Sequence, residues 1–287
     1  MRHTVTRVLC LVLLVAGLGG NLLAQSLPTA QPSLLQIVQE DIKVGHSADH
    51  VKTEAGWPAA YEKARYPYYY LALATLTGTS QVWFIQPFDS HQAMADALKR
   101  SEEPVLEAEL GGLSRADATH LSGQRTINAA ARKDLSHGAF PDSSKQRFYE
   151  ITVLRVRPGH EEQFATAAKA YGAATGRGAP GMSFRVYEVT AGMPSPTYLV
   201  ITSVVSYADF DKAQADGEAL IKAATADERA ALQKFDTEAL LSAETHQFSL
   251  DPRMSYVPKE VRAQDTAFWM PKKPVTAGTD QKKKAQP

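Results

Sequence analysis

Residues 37–46 read Ile-Val-Gln-Glu-Asp-Ile-Lys-Val-Gly-His, and residues 151–160 read Ile-Thr-Val-Leu-Arg-Val-Arg-Pro-Gly-His. The two stretches begin a longer correspondence. Ile37 to Gly78 lies over Ile151 to Gly192 at a constant offset of 114, without a gap. Trp57 answers Tyr171, Ala59-Ala60 answers Ala173-Ala174, and Gly78 answers Gly192. Two extra residues near Met193 to Pro196 then move the offset to 116, so that Ile85 and Ser90 meet Ile201 and Ser206. Only 6 of the first 42 pairs are identical, and the repeat rests on the order of elements. Two similar units in one chain can form an internal pseudo-dimer.

Each half carries the same succession of signals. A strand at Leu34–Lys43 answers one at Phe148–Val156, and each is followed by a glycine turn and a helix. Ser47 is the expected cap of the first helix. Pro58 in one helix and Gly172 in the other predict a kink or an early stop in both. Hairpins follow, Tyr68–Thr77 with Gln81–Phe88 and Ser183–Thr190 with Thr197–Val205. Asp89 or Ser90 caps the next helix of the first half, and Ser206 with Asp209 marks that of the second. Ser114-x-x-Asp117 and Thr225-x-x-Glu228 are read as openings of an added helix in each half. Last strands are expected near Ala131–Ser136 and Ser242–Leu250. Tyr68 to Leu73, Val82 to Ile85 and Tyr198 to Ile201 are apolar on both faces, so each sheet needs a cover on either side.

The order strand, helix, strand, strand, helix, strand is ferredoxin-like. The turn Arg157-Pro158-Gly159-His160-Glu161-Glu162-Gln163-Phe164 resembles the Pro-Gly-x-Glu-Glu-x-Phe start of the first helix in the dimeric α/β-barrel superfamily, including its NIPSNAP-like, antibiotic-biosynthesis-monooxygenase-like and EthD-like branches. The first half departs from it: Val44 replaces the proline, and Ser47 and Asp49-His50 replace the acidic pair and the phenylalanine. The resemblance implies an α+β fold. Two fused ferredoxin-like units, residues 25–140 and 141–250, would set antiparallel sheets face to face as a pseudo-dimeric α/β barrel. It assigns no reaction, because one fold hosts many.

The ends and the composition narrow the classes. Residues 1–24 read as an export signal: Arg2 and Arg7, an apolar run from Val8 to Leu18, and Leu22-Leu23-Ala24 before Gln25. The expected destination is the periplasm or the extracellular space, with no membrane span once the signal is removed. The only cysteine, Cys10, lies in that leader, so a mature chain has no thiol chemistry. Without the leader's two arginines, 29 basic face 31 acidic residues, which is no footprint for nucleic acid. Residues 251–271 are expected to wrap over the core with Tyr256 and Trp269, and residues 272–287 to form a basic, disordered tail.

His46-x3-His50 has metal-ligand spacing, but His46 precedes the expected cap. The pair reads as a turn histidine and a helix histidine, and no metal site is expected. No cofactor is required. A haem would need an axial ligand, for which His246 on a strand and His120 on the added helix are the candidates. No Gly-x-Ser-x-Gly elbow or phosphate loop is present. Aromatic residues gather on the first hairpin, while Arg185 and Tyr187 share one strand face. The expected ligand site therefore comprises Tyr68, Tyr70, Trp83, Arg185, Tyr187 and His246, holding a small apolar or aromatic molecule between the sheets. Two other readings stay open: a cofactor-independent or haem-linked monooxygenase, which only the superfamily resemblance implies, and an assembly module, including a homo-oligomer, that pairs through exposed strand edges or helices.

Overall fold

The computed structural model describes residues 27–270. The expected leader and the basic tail lie outside the described residues.

Strand β1 (Leu34–Ile42) leads through the turn at Gly45 into α1 (Ser47–Glu54) and α2 (Gly56–Ala64). Strands β2 (Leu71–Thr75) and β3 (Gln81–Phe88) form the hairpin, followed by α3 (His91–Ser101), α4 (Pro104–Asp117) and β4 (Leu121–Ala131). The second half repeats the order with β5 (Phe148–Val156), α5 (Glu161–Gly178), β6 (Arg185–Ala191), β7 (Thr197–Val204), α6 (Asp209–Ala223), α7 (Ala226–Lys234) and β8 (Leu240–Leu250). Two short helices, α8 (Lys259–Gln264) and α9 (Thr266–Trp269), finish the described chain.

All eight strands are antiparallel and form one closed barrel in the order β1-β3-β2-β8-β5-β7-β6-β4. Each half contributes four neighbours, β4-β1-β3-β2 and β8-β5-β7-β6. The expected α/β barrel is present, but the halves are not two separate sheets stacked face to face. The halves join edge to edge, with Leu73 opposite Leu250 on one seam and Ala129 opposite Val189 on the other. Closure satisfies backbone groups that open edges would leave bare. It also consumes the strand edges, one of the two surfaces through which the assembly reading would pair. The double-faced apolar strands are explained by two covers. Ile37, Leu73, Trp83, Ile127, Ile151, Leu199 and Phe248 fill the barrel, while Phe88 and Tyr70 face the helices of the first half and Val186 and Tyr198 those of the second.

Several local expectations need amendment. His46, not Ser47, stands at the N-cap of α1, and it makes no side-chain cap. The break between α1 and α2 falls at Ala55, because the Pro58 ring excludes the carbonyl four residues earlier, that of Glu54. Gly172 stops nothing, and α5 runs on to Gly178. Ser114 to Asp117 is the last turn of α4, not the start of a helix. The true start is Pro104 at the first position, where its missing N–H costs nothing. Strand β4 ends at Ala131, and Lys133–Leu135 is a single 3-10 turn. Ser90 caps α3 by accepting from Ala93 N, and Thr225 and Glu228 form a full capping box on α7.

The segment after β8 covers one end of the barrel. Tyr256 exchanges backbone hydrogen bonds with Tyr70 and donates its hydroxyl to the Tyr66 carbonyl. Trp269, Val257 and Val261 join the barrel core. Among the described residues no helix is long and apolar enough to cross a membrane.

Candidate functional site

The outer face of β1, β3 and β4 meets α2 and α4 around a cavity of about 230 Å³. Its walls combine the rings of Trp57, Tyr61, Tyr70 and Phe84 with the carboxamides of Gln36, Gln86 and Gln124. Two carboxylates, Glu40 and Asp117, also reach it. Burial, the largest cause for both, keeps the Tyr61 and Tyr70 hydroxyls well above the ordinary phenol range, so both are donors at neutral pH.

Behind that wall lies a polar cluster that the sequence reading did not assemble. Glu40 points outward from β1, and His50 and Glu54 are the two buried residues of α1, one turn apart on one face. Asp117 ends α4, which crosses α1 and α2. The four residues are 5, 1, 4 and 3 % exposed. His50 Nε2 stands 2.9 Å from Glu40 Oε2 and 3.7 Å from Asp117 Oδ1. Gln124 Nε2 donates to the other Glu40 oxygen at 2.8 Å. Asp117 Oδ1 is buried without a hydrogen-bond partner, as is the Trp57 indole nitrogen. One donor atom from each of the four lies within 4.8 Å of the others. Burial, and then the charges of Glu40 and Asp117, pushes the Glu54 carboxyl up to about 9. Burial and Glu40 push Asp117 up to about 6, against the opposing pull of His50 and His120. The reading of His50 as an ordinary helix histidine is therefore corrected: it is the most buried member of a carboxylate cluster.

The second half keeps a cavity of about 290 Å³ at the corresponding place, between β5–β7 and α5. Its chemistry differs position by position. At the offset of 114, Leu154 stands for Glu40, Phe164 for His50, Ala168 for Glu54 and Tyr171 for Trp57. All four line that second cavity.

The residues expected to form one site are dispersed. Tyr70, Arg185 and Tyr187 do meet, at a smaller cavity of about 100 Å³ in the barrel mouth. There the Arg185 guanidinium donates to the carbonyls of His137 (2.6 Å), Phe184 (2.9 Å), Gly138 (2.9 Å) and Ala139, which ties down the loop before β5. Trp83 and His246 lie further along the barrel interior, with ring centroids 6.0 Å apart, and Trp83 donates to Gln81. Tyr68 faces outward, against Tyr66 and Phe88. His120 is not on the added helix but just before β4, with its Nδ1 3.1 Å from that of His46. None of the four cavities described has an imidazole in its wall. None of these four walls therefore offers His246 or His120 to a haem iron.

The cluster left one signal in the sequence. Glu40, His50 and Glu54 each occupy a position whose repeat partner is apolar. Asp117 carries no such signal, because Ser114-x-x-Asp117 reads as a helix opening although it is the last turn of α4.

No protein-family model and no curated protein matches the chain. Solved structures do. A candidate monooxygenase from Fusobacterium nucleatum is 9 % identical, with a TM-score of 0.51 over 78 % of this chain and 94 % of that one. An anthrone oxidase-like protein is 12 % identical, with a TM-score of 0.51 over 78 % and 93 %. A mutant chlorite dismutase from Candidatus Nitrospira defluvii is 11 % identical over 82 % and 96 %, at a lower TM-score of 0.49. At such identities only the architecture is shared. The chain therefore shares the closed α+β barrel architecture of the first two of these structures.

Proposed function

We propose that the cavity of the first half is the working site and that it binds a small, planar, uncharged aromatic molecule bearing a hydroxyl group. One observation carries this reading: four aromatic rings face two buried carboxylates across a single cavity. The rings offer stacking surface, and the carboxylates accept a hydroxyl proton in a hydrogen bond. Among the described residues no Lys or Arg pairs with Glu40, Glu54 or Asp117. An anionic ligand would thus meet uncompensated negative charge. Among the described residues the barrel interior is packed with side chains, with a smaller cavity of about 100 Å³ at its mouth. Oxidation of such a molecule is the reaction class that fits the fold shared with a candidate monooxygenase and an anthrone oxidase-like protein.

Calorimetry with 1-naphthol and 1-naphthoate tests this. Naphthol should bind saturably at one equivalent, and naphthoate at least about tenfold more weakly, or about 1.4 kcal/mol. Val38→Phe, which fills the first cavity, should abolish binding, whereas Thr152→Phe in the second should not. Equal affinity for naphthoate, or loss only in Thr152→Phe, would overturn the assignment.

The constant offset and the repeated strand order support two fused ferredoxin-like units descended from one duplicated ancestor. The leader supports export. N-terminal sequencing of exported protein should begin at Gln25, and a chain still starting at Met1 would refute cleavage.

A further inference from the structure

We propose that Glu40, His50, Glu54 and Asp117 form a binding site for a divalent transition-metal cation. The inference deepens the reading of the first cavity as the working site and rests on it. Its test uses no organic ligand, so the failure of one reading is distinguishable from the failure of the other.

The donor set is one imidazole and three carboxylates. Such a set suits Mn²⁺, Fe²⁺ or Zn²⁺. It lacks the thiolates that favour Cu(I), and Ca²⁺ prefers six to eight oxygens. A cation about 2.1 Å from each donor places donors up to roughly 4.2 Å apart. The observed spread of up to 4.8 Å needs only a small contraction.

Two further observations point to a missing cation. Asp117 Oδ1 lies in the cluster, 3.7 Å from His50 Nε2, with no hydrogen-bond partner, and Asp117 is 3 % exposed. A buried acceptor left in that state is costly unless something fills it. The second half then shows that the fold does not need polar groups here. Leu154, Phe164 and Ala168 occupy the corresponding positions and close the same layer with hydrocarbon. A buried charged cluster where an apolar one suffices is a functional feature rather than a packing solution.

The scaffold suits the role. Glu40 sits on a barrel strand, and its second oxygen is held by Gln124, the kind of outer contact that orients a metal ligand. His50 and Glu54 are one helical turn apart. Glu40 and Asp117 also line the aromatic cavity, so open coordination positions would face a bound molecule.

The test is titration of the EDTA-stripped full-length protein with Co²⁺, followed by its visible absorption, and with Mn²⁺ by calorimetry. One equivalent should bind and raise the melting temperature. Asp117→Asn, close to isosteric, should weaken binding on the order of 100-fold or more. The triple variant Glu40→Leu, His50→Phe, Glu54→Ala copies the second half. It should fold and lose metal binding entirely. His46→Ala and His120→Ala, which remove the neighbouring imidazole pair, should bind as the parent does. No stoichiometric binding by the parent would overturn the proposal. So would metal retained by the triple variant, or metal lost only in the His46 and His120 variants.

Discussion

Glu54→Gln should stabilise the metal-stripped protein most at high pH and flatten its dependence on pH. Glu54 is raised from 4.5 to about 9 by burial and by the charges of Glu40 and Asp117. The folded state therefore holds a proton that the unfolded chain releases above about pH 4.5. Between these values the native state binds more protons, so stability falls as pH rises. At 1.36 kcal/mol per unit, the cost reaches about 3 kcal/mol by pH 7 and about 6 kcal/mol above pH 9. A glutamine mimics the protonated carboxyl and removes that cost. Asp117, raised from 3.8 to about 6, adds the same sign of dependence over that lower window.

Denaturant melts from pH 5 to 9 in EDTA measure this, and the difference between parent and variant isolates Glu54. A parent that gains stability over the variant with rising pH would mean that Glu54 is ionised and favourably paired. With saturating Mn²⁺ the order should invert, because the cation requires the carboxylate that glutamine lacks.

Gly192→Ala should be far more damaging than Gly78→Ala, although the two glycines correspond across the repeat. Both have positive φ, +91° and +82°, which costs an alanine about 1–2 kcal/mol. Their surroundings differ. A Cβ at Gly192 would collide with the Thr126 carbonyl oxygen and stand 2.9 Å from Ile127 Cα, both backbone atoms of β4. Gly192 immediately follows β6, at the seam where β6 pairs with β4. Relief would require the strands to part, so a loss beyond about 3 kcal/mol, or failure to fold, is expected. At Gly78 the nearest atom is His246 Nδ1 at 3.2 Å, a side chain that can yield, so only the backbone cost should remain. Urea midpoints at an unchanged m-value report both. Equal losses would show that the seam is not closely packed at Gly192.

Local elements were legible where a pattern has a local cause. Ser90 and Thr225 cap helices because their hydroxyls meet orphan N–H groups three residues on. The hairpin turn at Gly78 needs positive φ, and glycine supplies it. Errors arose where two local signals competed. Ser114-x-x-Asp117 imitates a helix start, yet Pro104 had already begun the helix that ends there. Gly172 is a poor helix former, but α5 tolerates it because tertiary packing outweighs about 1 kcal/mol of propensity.

The sequence by itself determined the α+β class, the strand and helix order of both halves, and the need to cover both faces of each sheet. Those properties depend on periodicities and turn residues that act over a few positions. Only the tertiary structure decided that the two halves close edge to edge into one barrel with the helices outside, since an apolar face does not name its partner. It also decided the candidate site. Glu40 lies on a strand, His50 and Glu54 on one helix and Asp117 at the end of another. Their convergence depends on how α1 and α4 cross over β1, a relation that no local spacing encodes.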